Sequence, residues 1–168
     1  MPLPPAKLRV APTETGVCIR VEGQGTLRES PEAKDVAVRT LASDRSATVV
    51  VDLSSCEYLD STFLGCLMEL YRLFGKTPVK RYFVAASAER RKQLMGPTHL
   101  DRLIPMLDAP PPLCGAWVPI TVEAPSKREL VRHVMECHEA LATLDCPSRD
   151  LFARIAQEMR AELSKPVA

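Results

Sequence analysis

An aspartate and two hydroxyl residues stand in succession directly before a long apolar segment. Asp60, Ser61 and Thr62 precede the run from Phe63 to Phe74, which is mostly apolar and has the length of a helix. Unpaired backbone N–H groups and the helix dipole favour negative charge at such a position. A phosphate ester on the Ser61 hydroxyl would fit there and would change the local charge by about two units. These residue types are therefore compatible with a phosphorylation site at Ser61.

A structural role explains the same residues. A serine or threonine hydroxyl at the first turn of a helix can cap it, which stabilises the helix by about 1 kcal/mol. A carboxylate such as that of Asp60 adds a favourable interaction with the helix dipole. Judged from the residue types alone, capping is the more common role, so both interpretations stay open.

Strands are predicted on both sides of this segment. Val17, Ile19 and Val21 alternate with polar residues before a glycine-bearing turn, which indicates a strand with one buried face. Residues 49–51 are all valine and are followed by Asp52, a pattern typical of a strand covered on both faces. The segment YFVAAS indicates a further strand. Together these patterns predict a sheet with the valine run near its middle.

Helices are predicted between the strands. Ser30 is a suitable N-cap and Pro31 a suitable first residue for a short helix. A second short helix, AERRKQLM, can end at Gly96, and the segment THLDRLIPML follows it with apolar residues Leu100, Leu103, Ile104 and Leu107. Strands that alternate with helices imply crossover connections. We therefore predict an α/β fold with a small, mainly parallel or mixed sheet.

A change of composition predicts a domain boundary. Three consecutive prolines in DAPPPLCGAWVP can continue neither a helix nor a sheet ladder. We predict an α/β domain in residues 1–109, with a proline-rich tail in 1–7. Residues 110–125 would form a linker, and residues 126–168 a C-terminal helical hairpin.

The hairpin is predicted from two amphipathic patterns. Ser126 and Glu129 form a capping box, and Ser148 is a second N-cap. The predicted apolar stripes are Leu130, Val134, Cys137, Leu141 and Leu144 in the first helix and Leu151, Ile155, Met159 and Leu163 in the second. Each helix has one apolar face, so the hairpin must pack on the sheet domain, on a second copy in a homodimer, or on a partner.

The segment VVVDLSSCEYLDSTFLGCLMELYRL resembles the signature of the STAS domain family, the anti-sigma factor antagonists. In that signature a hydrophobic strand ends in Asp-Leu, and a short loop leads to Asp-Ser-Ser/Thr-Gly-Leu-Gly and a helix. The segment VKRYFVAASAERRKQLMGPTHLDRLIPML is similar to the next part of the family. The resemblance covers roughly residues 8–107 and implies a STAS-like fold.

The resemblance also implies a function. It implies a module without catalysis of its own that binds an ATP-dependent serine/threonine kinase acting as an anti-sigma factor. In the family the serine directly after the aspartate is phosphorylated, which corresponds to Ser61, and a PP2C-type phosphatase reverses this. Thr62 is the secondary candidate acceptor. Unphosphorylated protein captures the kinase and frees the sigma factor. Phe63 departs from the common signature, which has glycine there, while Leu64 and Gly65 keep the pattern.

The predicted partner-binding surface comprises the start of the helix, the preceding loop SSCEY and the turn EGQGT. Its residues are Asp60, Ser61, Thr62, Phe63, Glu57, Tyr58 and Gln24. A bulky Phe63 beside the acceptor would fill a groove or reshape the docking surface.

Bulk composition argues against several classes of function. The formal net charge is +1 and no apolar run reaches 18 residues, so we expect neither nucleic-acid binding nor direct membrane insertion. Prolines interrupt the first ten residues, where a signal peptide needs a continuous apolar region, so we expect a cytoplasmic protein. No Ser-His-Asp order, paired glutamates or His-Glu-x-x-His pattern indicates an enzyme, and no cofactor is predicted.

The cysteines and histidines allow one alternative. The six cysteines are scattered without a Cys-x-x-Cys pair, which predicts free thiols. His133, Cys137, His138 and Cys146 lie close enough in sequence to bind a metal, but burial of Cys137 on the apolar stripe explains it without one. All three histidines, His99, His133 and His138, are predicted to lie outside the candidate phosphorylation site.

Two other functions remain as alternatives. The domain would be a constitutive scaffold, or an accessory subunit of a signalling assembly or a membrane transporter ATPase, if the hairpin were a permanent interface. It would be a sensor of a nucleotide or another small anion if the basic cluster around Arg90 and Arg91 bound such a ligand.

Overall fold

The protein is built on a mixed sheet with α-helices packed against it. The computed structural model describes Pro2 and residues 5–167. In these residues the strands are β1 (Lys7–Pro12), β2 (Gly16–Gly25), β3 (Thr48–Asp52), β4 (Cys56–Leu59), β5 (Tyr82–Ala85), β6 (Met106–Leu107) and β7 (Val118–Pro119). The α-helices are α1 (Ser30–Ser43), α2 (Ser61–Leu70), α3 (Ala88–Met95), α4 (Lys127–Leu141) and α5 (Arg149–Leu163).

The strand order of the sheet is β6-β5-β3-β2-β1-β7, and β4 pairs separately with the end of β2. Strands β2, β3, β5 and β6 run parallel to one another, whereas β1 is antiparallel to both of its neighbours, β2 and β7. The valines of β3 lie between two parallel strands, as expected for a strand covered on both faces. The predicted α/β fold with a mixed sheet is confirmed.

Four strands of the sheet, β1, β4, β6 and β7, were not predicted. Strand β1 begins inside the segment interpreted as a proline-rich tail, and β4 occupies residues interpreted as the loop SSCEY. Strand β4 pairs with β2 through Gly23, Gln24 and Gly25, with a register shift that bends the end of β2. Because β4 ends at Leu59, this pairing sets the point from which α2 begins.

Helix α2 is almost wholly buried, since eight of its ten residues are inaccessible to solvent. It is shorter than the predicted helix over Phe63 to Phe74, because residues Tyr71–Gly75 form a single turn of π-helix. The segment THLDRLIPML, for which no element was predicted, forms a 3-10 turn, Leu100–Arg102, and the short strand β6. Pro105 supplies no N–H, which is incompatible with a continuous helix there.

The C-terminal hairpin packs on the α/β part of the same chain. Buried side chains of α4, of the connection after it and of α5 belong to the same apolar cluster as those of α2 and the sheet: Cys137, Ala140, Leu141, Leu144 and Phe152. The predicted stripe of α5 is wrong at Leu151, which is 51% exposed, while Phe152 and Ala156 face the core and the other predicted residues are half-buried. The buried face of α5 is therefore rotated by about one residue from the predicted stripe.

On the face of the sheet opposite the main apolar cluster, fewer residues are buried. Cys18, Val50 and Ala85 form a separate buried cluster there, against which Trp117 of the proline-rich segment packs. The Arg20 guanidinium lies 4.2 Å from the centre of the Trp117 ring, and its Nε donates to Asp52 at 2.8 Å. The proline-rich segment is thus held on the sheet by a cation–π contact and by the pairing of β7 with β1. No helix in the described ranges is long and apolar enough to cross a membrane.

Candidate functional site

Asp60 is the N-cap of α2 and connects this helix to the loop after β2. One carboxylate oxygen accepts from the backbone N–H of Phe63 at 2.8 Å, and the other accepts from that of Leu27 at 2.8 Å. The backbone N–H of Asp60 donates to the carbonyl of Gly25. Asp60 rather than Ser61 therefore caps the helix, and the Ser61 hydroxyl is free for another interaction.

The surroundings of Asp60 are acidic and partly buried. Burial raises the pKa of the Asp60 carboxyl, the two N–H donors lower it, and the nearby Glu29 carboxylate raises it. Glu29 is itself buried and accepts from the backbone N–H and the hydroxyl of Thr26. Two carboxylates thus lie near the start of α2, so a further negative charge there would be repelled.

The Ser61 hydroxyl is hydrogen-bonded to a histidine of the C-terminal hairpin. Its Oγ lies 2.9 Å from Nε2 of His138, whose Nδ1 lies 2.7 Å from the carbonyl oxygen of Val134. A carbonyl only accepts, so Nδ1 carries a proton, and in the neutral ring Nε2 accepts the Ser61 proton. The ring of Phe152 packs against His138, with centroids 6.0 Å apart. The site is therefore built from α2, α4 and α5 together.

A second serine–histidine pair joins α4 to α1. Ser30 Oγ lies 2.7 Å from Nε2 of His133, and Sγ of Cys137 lies 3.6 Å from the same nitrogen. Burial lowers the pKa of His133 to about 4, with a smaller effect of the Lys34 charge. The prediction that Ser30 is the N-cap of α1 is wrong, because Glu29 occupies that position. The buried side chain of Ser30 binds α4 instead.

The predicted partner-binding residues divide into exposed and buried groups. Tyr58 is 44% exposed, Glu57 is also exposed, and Gln24 is half-buried opposite Tyr58 in the pairing of β2 with β4. In contrast, Thr62 is 3% exposed and Phe63 is completely buried. These two residues can shape the surface from below, but a partner cannot touch Phe63 in this conformation.

Ser61 alone of the two predicted acceptors reaches the surface, where it is half-buried. The buried Thr62 hydroxyl would have to leave the protein interior before a kinase could modify it. The structure thus brings Asp60 and Ser61 together at the start of α2 and places Thr62 beneath them.

His138 is the residue that sequence reasoning missed. All histidines were predicted to lie outside the site, and this is wrong for His138, which contacts Ser61 across 77 positions of the chain. The sequence did contain a signal for it, because His138 directly follows Cys137 of the predicted apolar stripe of α4. A histidine that is buried with such a stripe needs a hydrogen-bond partner for its imidazole. The identity of that partner depends on how α4 is placed on α2.

The alternative ligand sites are occupied by interactions within the chain. Arg91 donates to the Ala86 carbonyl at 2.9 Å and to the Asp108 carboxylate at 2.6 Å, and Arg90 donates to the side chain of Gln93. Among the described residues, no group of three or more histidine, cysteine or acidic side chains could hold a metal ion.

Residues 8–80 match the family model described as "Mlab, STAS domain". These residues include β2, β3, β4, α1 and α2, and hence Asp60 and Ser61 at the start of α2. The predicted resemblance to the STAS family is therefore confirmed for this part of the chain. The match ends before β5 and does not include the C-terminal hairpin.

The comparison of folds gives a related match. A crystal structure of an anti-sigma factor antagonist from Mycobacterium paratuberculosis is similar over 62% of this chain and 87% of that chain. The sequence identity is 23% and the TM-score is 0.49. A likeness of this degree carries no argument about function.

Proposed function

We propose that the protein is a non-enzymatic binding module of bacterial partner-switching signal transduction, an anti-sigma factor antagonist that acts in the cytoplasm. Unphosphorylated protein would bind an ATP-dependent serine/threonine kinase that acts as the anti-sigma factor, and a PP2C-type phosphatase would restore this form. The observation that carries the proposal is the position of Ser61 within the part of the chain that matches the STAS family model. It is the first residue of α2, follows the capping Asp60, and has a half-buried hydroxyl that the cap does not use.

The acidic surroundings of Ser61 explain how a phosphate would act. A phosphoserine carries about −1.5 to −2 charges at neutral pH. Those charges would lie beside Asp60 and near Glu29, and a docking partner would have to remove water from all of them. Glu57 and Tyr58, which are exposed residues of β4, extend the proposed partner-binding surface beyond the start of α2. Phosphorylation would therefore weaken binding through repulsion and desolvation, without unfolding the domain.

The test compares two baits that differ only in charge at Ser61. Ser61→Ala and Ser61→Asp proteins are used to capture partners from a lysate of the source organism, and an ATP-binding serine kinase is expected with alanine and not with aspartate. Ser87→Asp is the matched control, because Ser87 is the N-cap of α3 and aspartate can also cap a helix. If the two Ser61 baits retain the kinase equally, the switch does not exist.

Phosphate transfer is measured separately. The captured kinase is incubated with wild-type protein and ATP, and the modified residue is located by tandem mass spectrometry. Phosphate on Ser61 is expected, and its absence from the Ser61→Ala protein is the control. Modification at Thr62 alone would contradict the proposal, because that hydroxyl is buried.

The contact between Ser61 and His138 favours a second function. In this second function the Ser61 hydroxyl is a structural contact within the chain, and the domain would serve instead as a constitutive scaffold, or as an accessory subunit of a signalling assembly or membrane transporter ATPase. In that case Ser61→Ala and Ser61→Asp proteins bind alike, whereas Val134→Asp, in the hairpin, abolishes assembly. The pair of baits thus separates the two functions.

A further inference from the structure

We propose that His138 couples the charge state of Ser61 to the C-terminal hairpin, so that a negative charge on Ser61 releases the end of α4 that carries His138. Only the physiological trigger, phosphorylation, rests on the function proposed above. The coupling itself is a property of the folded chain and can be measured without any partner.

The first step is the direction of the hydrogen bond. Nδ1 of His138 is committed to the Val134 carbonyl one turn earlier in α4, so Nε2 of the neutral ring presents a lone pair to Ser61. The Ser61 hydroxyl satisfies that lone pair by donating its proton. A phosphate or carboxylate at Ser61 presents only oxygen acceptors, so two acceptors would face each other and the contact would become repulsive.

The second step is the lack of space. Ser61 and Gly65 are four residues apart in α2 and hence lie on the same face of the helix. A Cβ placed on Gly65 would lie 2.6 Å from the carbonyl carbon of Cys137 and 2.7 Å from its Cβ, so the two helices are in backbone contact there. His138 directly follows Cys137. A phosphate on Ser61 would therefore enter the helix interface one turn from its closest point.

The third step is the charge of the surroundings. Asp60, at the N-terminus of α2, is close enough to His138 for a protonated ring to lower the Asp60 pKa, and Glu29 contributes a second negative charge from the turn before α1. From α5 the ring meets only the apolar Phe152. When the His138 ring is neutral, these groups offer no cation to an added negative charge, so we expect it to be accommodated by movement of His138 and Phe152 away from Ser61.

The movement should be local. His133 is bound to Ser30 more than one turn earlier in α4 and keeps that half of the helix on α1. The later part of α4 and the start of α5 are attached through His138, Phe152 and the residues around them. Release would expose Phe152 next to Ser61, and a partner that distinguishes the two states would meet a different surface.

The coupling is tested by a double-mutant cycle at pH 8, where an imidazole in an ordinary environment is neutral. Thermal unfolding is measured for Ser61→Ala and Ser61→Asp in the wild-type and His138→Gln backgrounds. We expect the aspartate protein to melt about 3 °C or more below the alanine protein when His138 is present. Glutamine can turn an N–H donor toward the charge, so this difference should fall by at least half.

Hydrogen exchange locates the change. Amides of residues 134–141 and 149–156 should exchange faster in Ser61→Asp than in Ser61→Ala, whereas those of α3 should not change. Ser87→Asp adds the same charge to another helix N-terminus and should leave the hairpin protected. If glutamine at position 138 prevents folding, His138→Met removes both ring nitrogens and provides a second background.

Several results would overturn the inference. Equal melting and equal hairpin exchange in the two Ser61 proteins would do so, as would an aspartate penalty of the same size in the His138 variants, or a higher melting temperature for Ser61→Asp. The proposed function fails independently, through equal capture of the kinase by both baits. A measured coupling without partner switching would therefore retain the inference and reject the function.

Discussion

The backbone of Cys137 in α4 lies directly against the Cα of Gly65 in α2. A side chain of any size at position 65 would overlap the carbonyl group of Cys137, so the residue must be glycine for α4 to approach this closely. Glycine in the middle of a helix costs about 1 kcal/mol relative to alanine. The close approach, which also brings His138 to Ser61, compensates for that loss.

Gly65→Ala should destabilise the protein by roughly 1–3 kcal/mol, although alanine is the better helix former. The measurement is the urea midpoint of unfolding, supported by loss of hydrogen-exchange protection in α4. Cys137→Ala is the matched background: because the overlapping atoms belong to the backbone and Cβ of Cys137, this change should not rescue Gly65→Ala. Stabilisation by alanine at position 65 would show that the helices are further apart than described.

The effects of substitutions at Gly25 and Phe63 on stability should be coupled, because a larger side chain at position 25 needs a smaller one at position 63. A Cβ on Gly25 would lie 2.9 Å from Cδ2 of Phe63 and 2.7 Å from Cδ2 of Leu59. We expect Gly25→Ala to cost roughly 1–3 kcal/mol and expect Phe63→Leu to reduce that cost by about 1 kcal/mol in the double variant. Chemical denaturation of the four proteins measures the coupling. Gly115→Ala, in an exposed segment, should combine additively with Phe63→Leu.

His133 should make the protein sensitive to acid. Its pKa falls from 6.5 to about 4 on folding because the ring is buried, so the unfolded chain binds the proton more tightly. Stability contributed by the neutral ring is therefore complete above about pH 6.5 and is lost as the pH falls toward 4. Relative to His133→Gln, the wild-type free energy of unfolding should fall by about 2 kcal/mol between pH 7.5 and pH 5. Parallel pH profiles of the two proteins would contradict this assignment.

Asp60 should have the opposite effect on the pH profile. Burial raises its pKa on folding, so the folded protein retains the proton more readily than the unfolded chain. Relative to Asp60→Asn, the wild-type free energy of unfolding should therefore decrease as the pH rises above about 4. Glu129→Gln is the control of opposite sign, because hydrogen bonds from Ser126 lower the pKa of Glu129. An unchanged difference between wild-type and Asp60→Asn from pH 4 to pH 6 would contradict the prediction.

Local patterns predicted the elements whose burial repeats regularly along the chain. The alternation in β2, the valine run of β3 and the capping box of α4 all correspond to observed elements. Strand β1 was missed because prolines surround it, and β4 because two of its four residues are exposed. Such short strands depend on pairing with β2, which no local pattern encodes.

The candidate site was predicted only as far as it is local in sequence. Asp60 and Ser61 are adjacent, so their position at the start of a helix follows from the pattern around them. The role of His138 depends on the helix contact at Gly65, which brings together residues far apart in the chain. The wrong prediction that Leu151 is buried has the same cause. Apolar residues occur on more than one face of α5, so the sequence of the helix does not determine which face packs against the core.

The apolar cluster that α4 shares with α2 also affects how the chain is made. During translation α2 leaves the ribosome several seconds before α4 is complete, at the usual rate of synthesis. Until then, the face of α2 around Gly65 has no covering helix. The nascent chain therefore exposes apolar surface that chaperones can bind, and its folding is completed after translation of the hairpin.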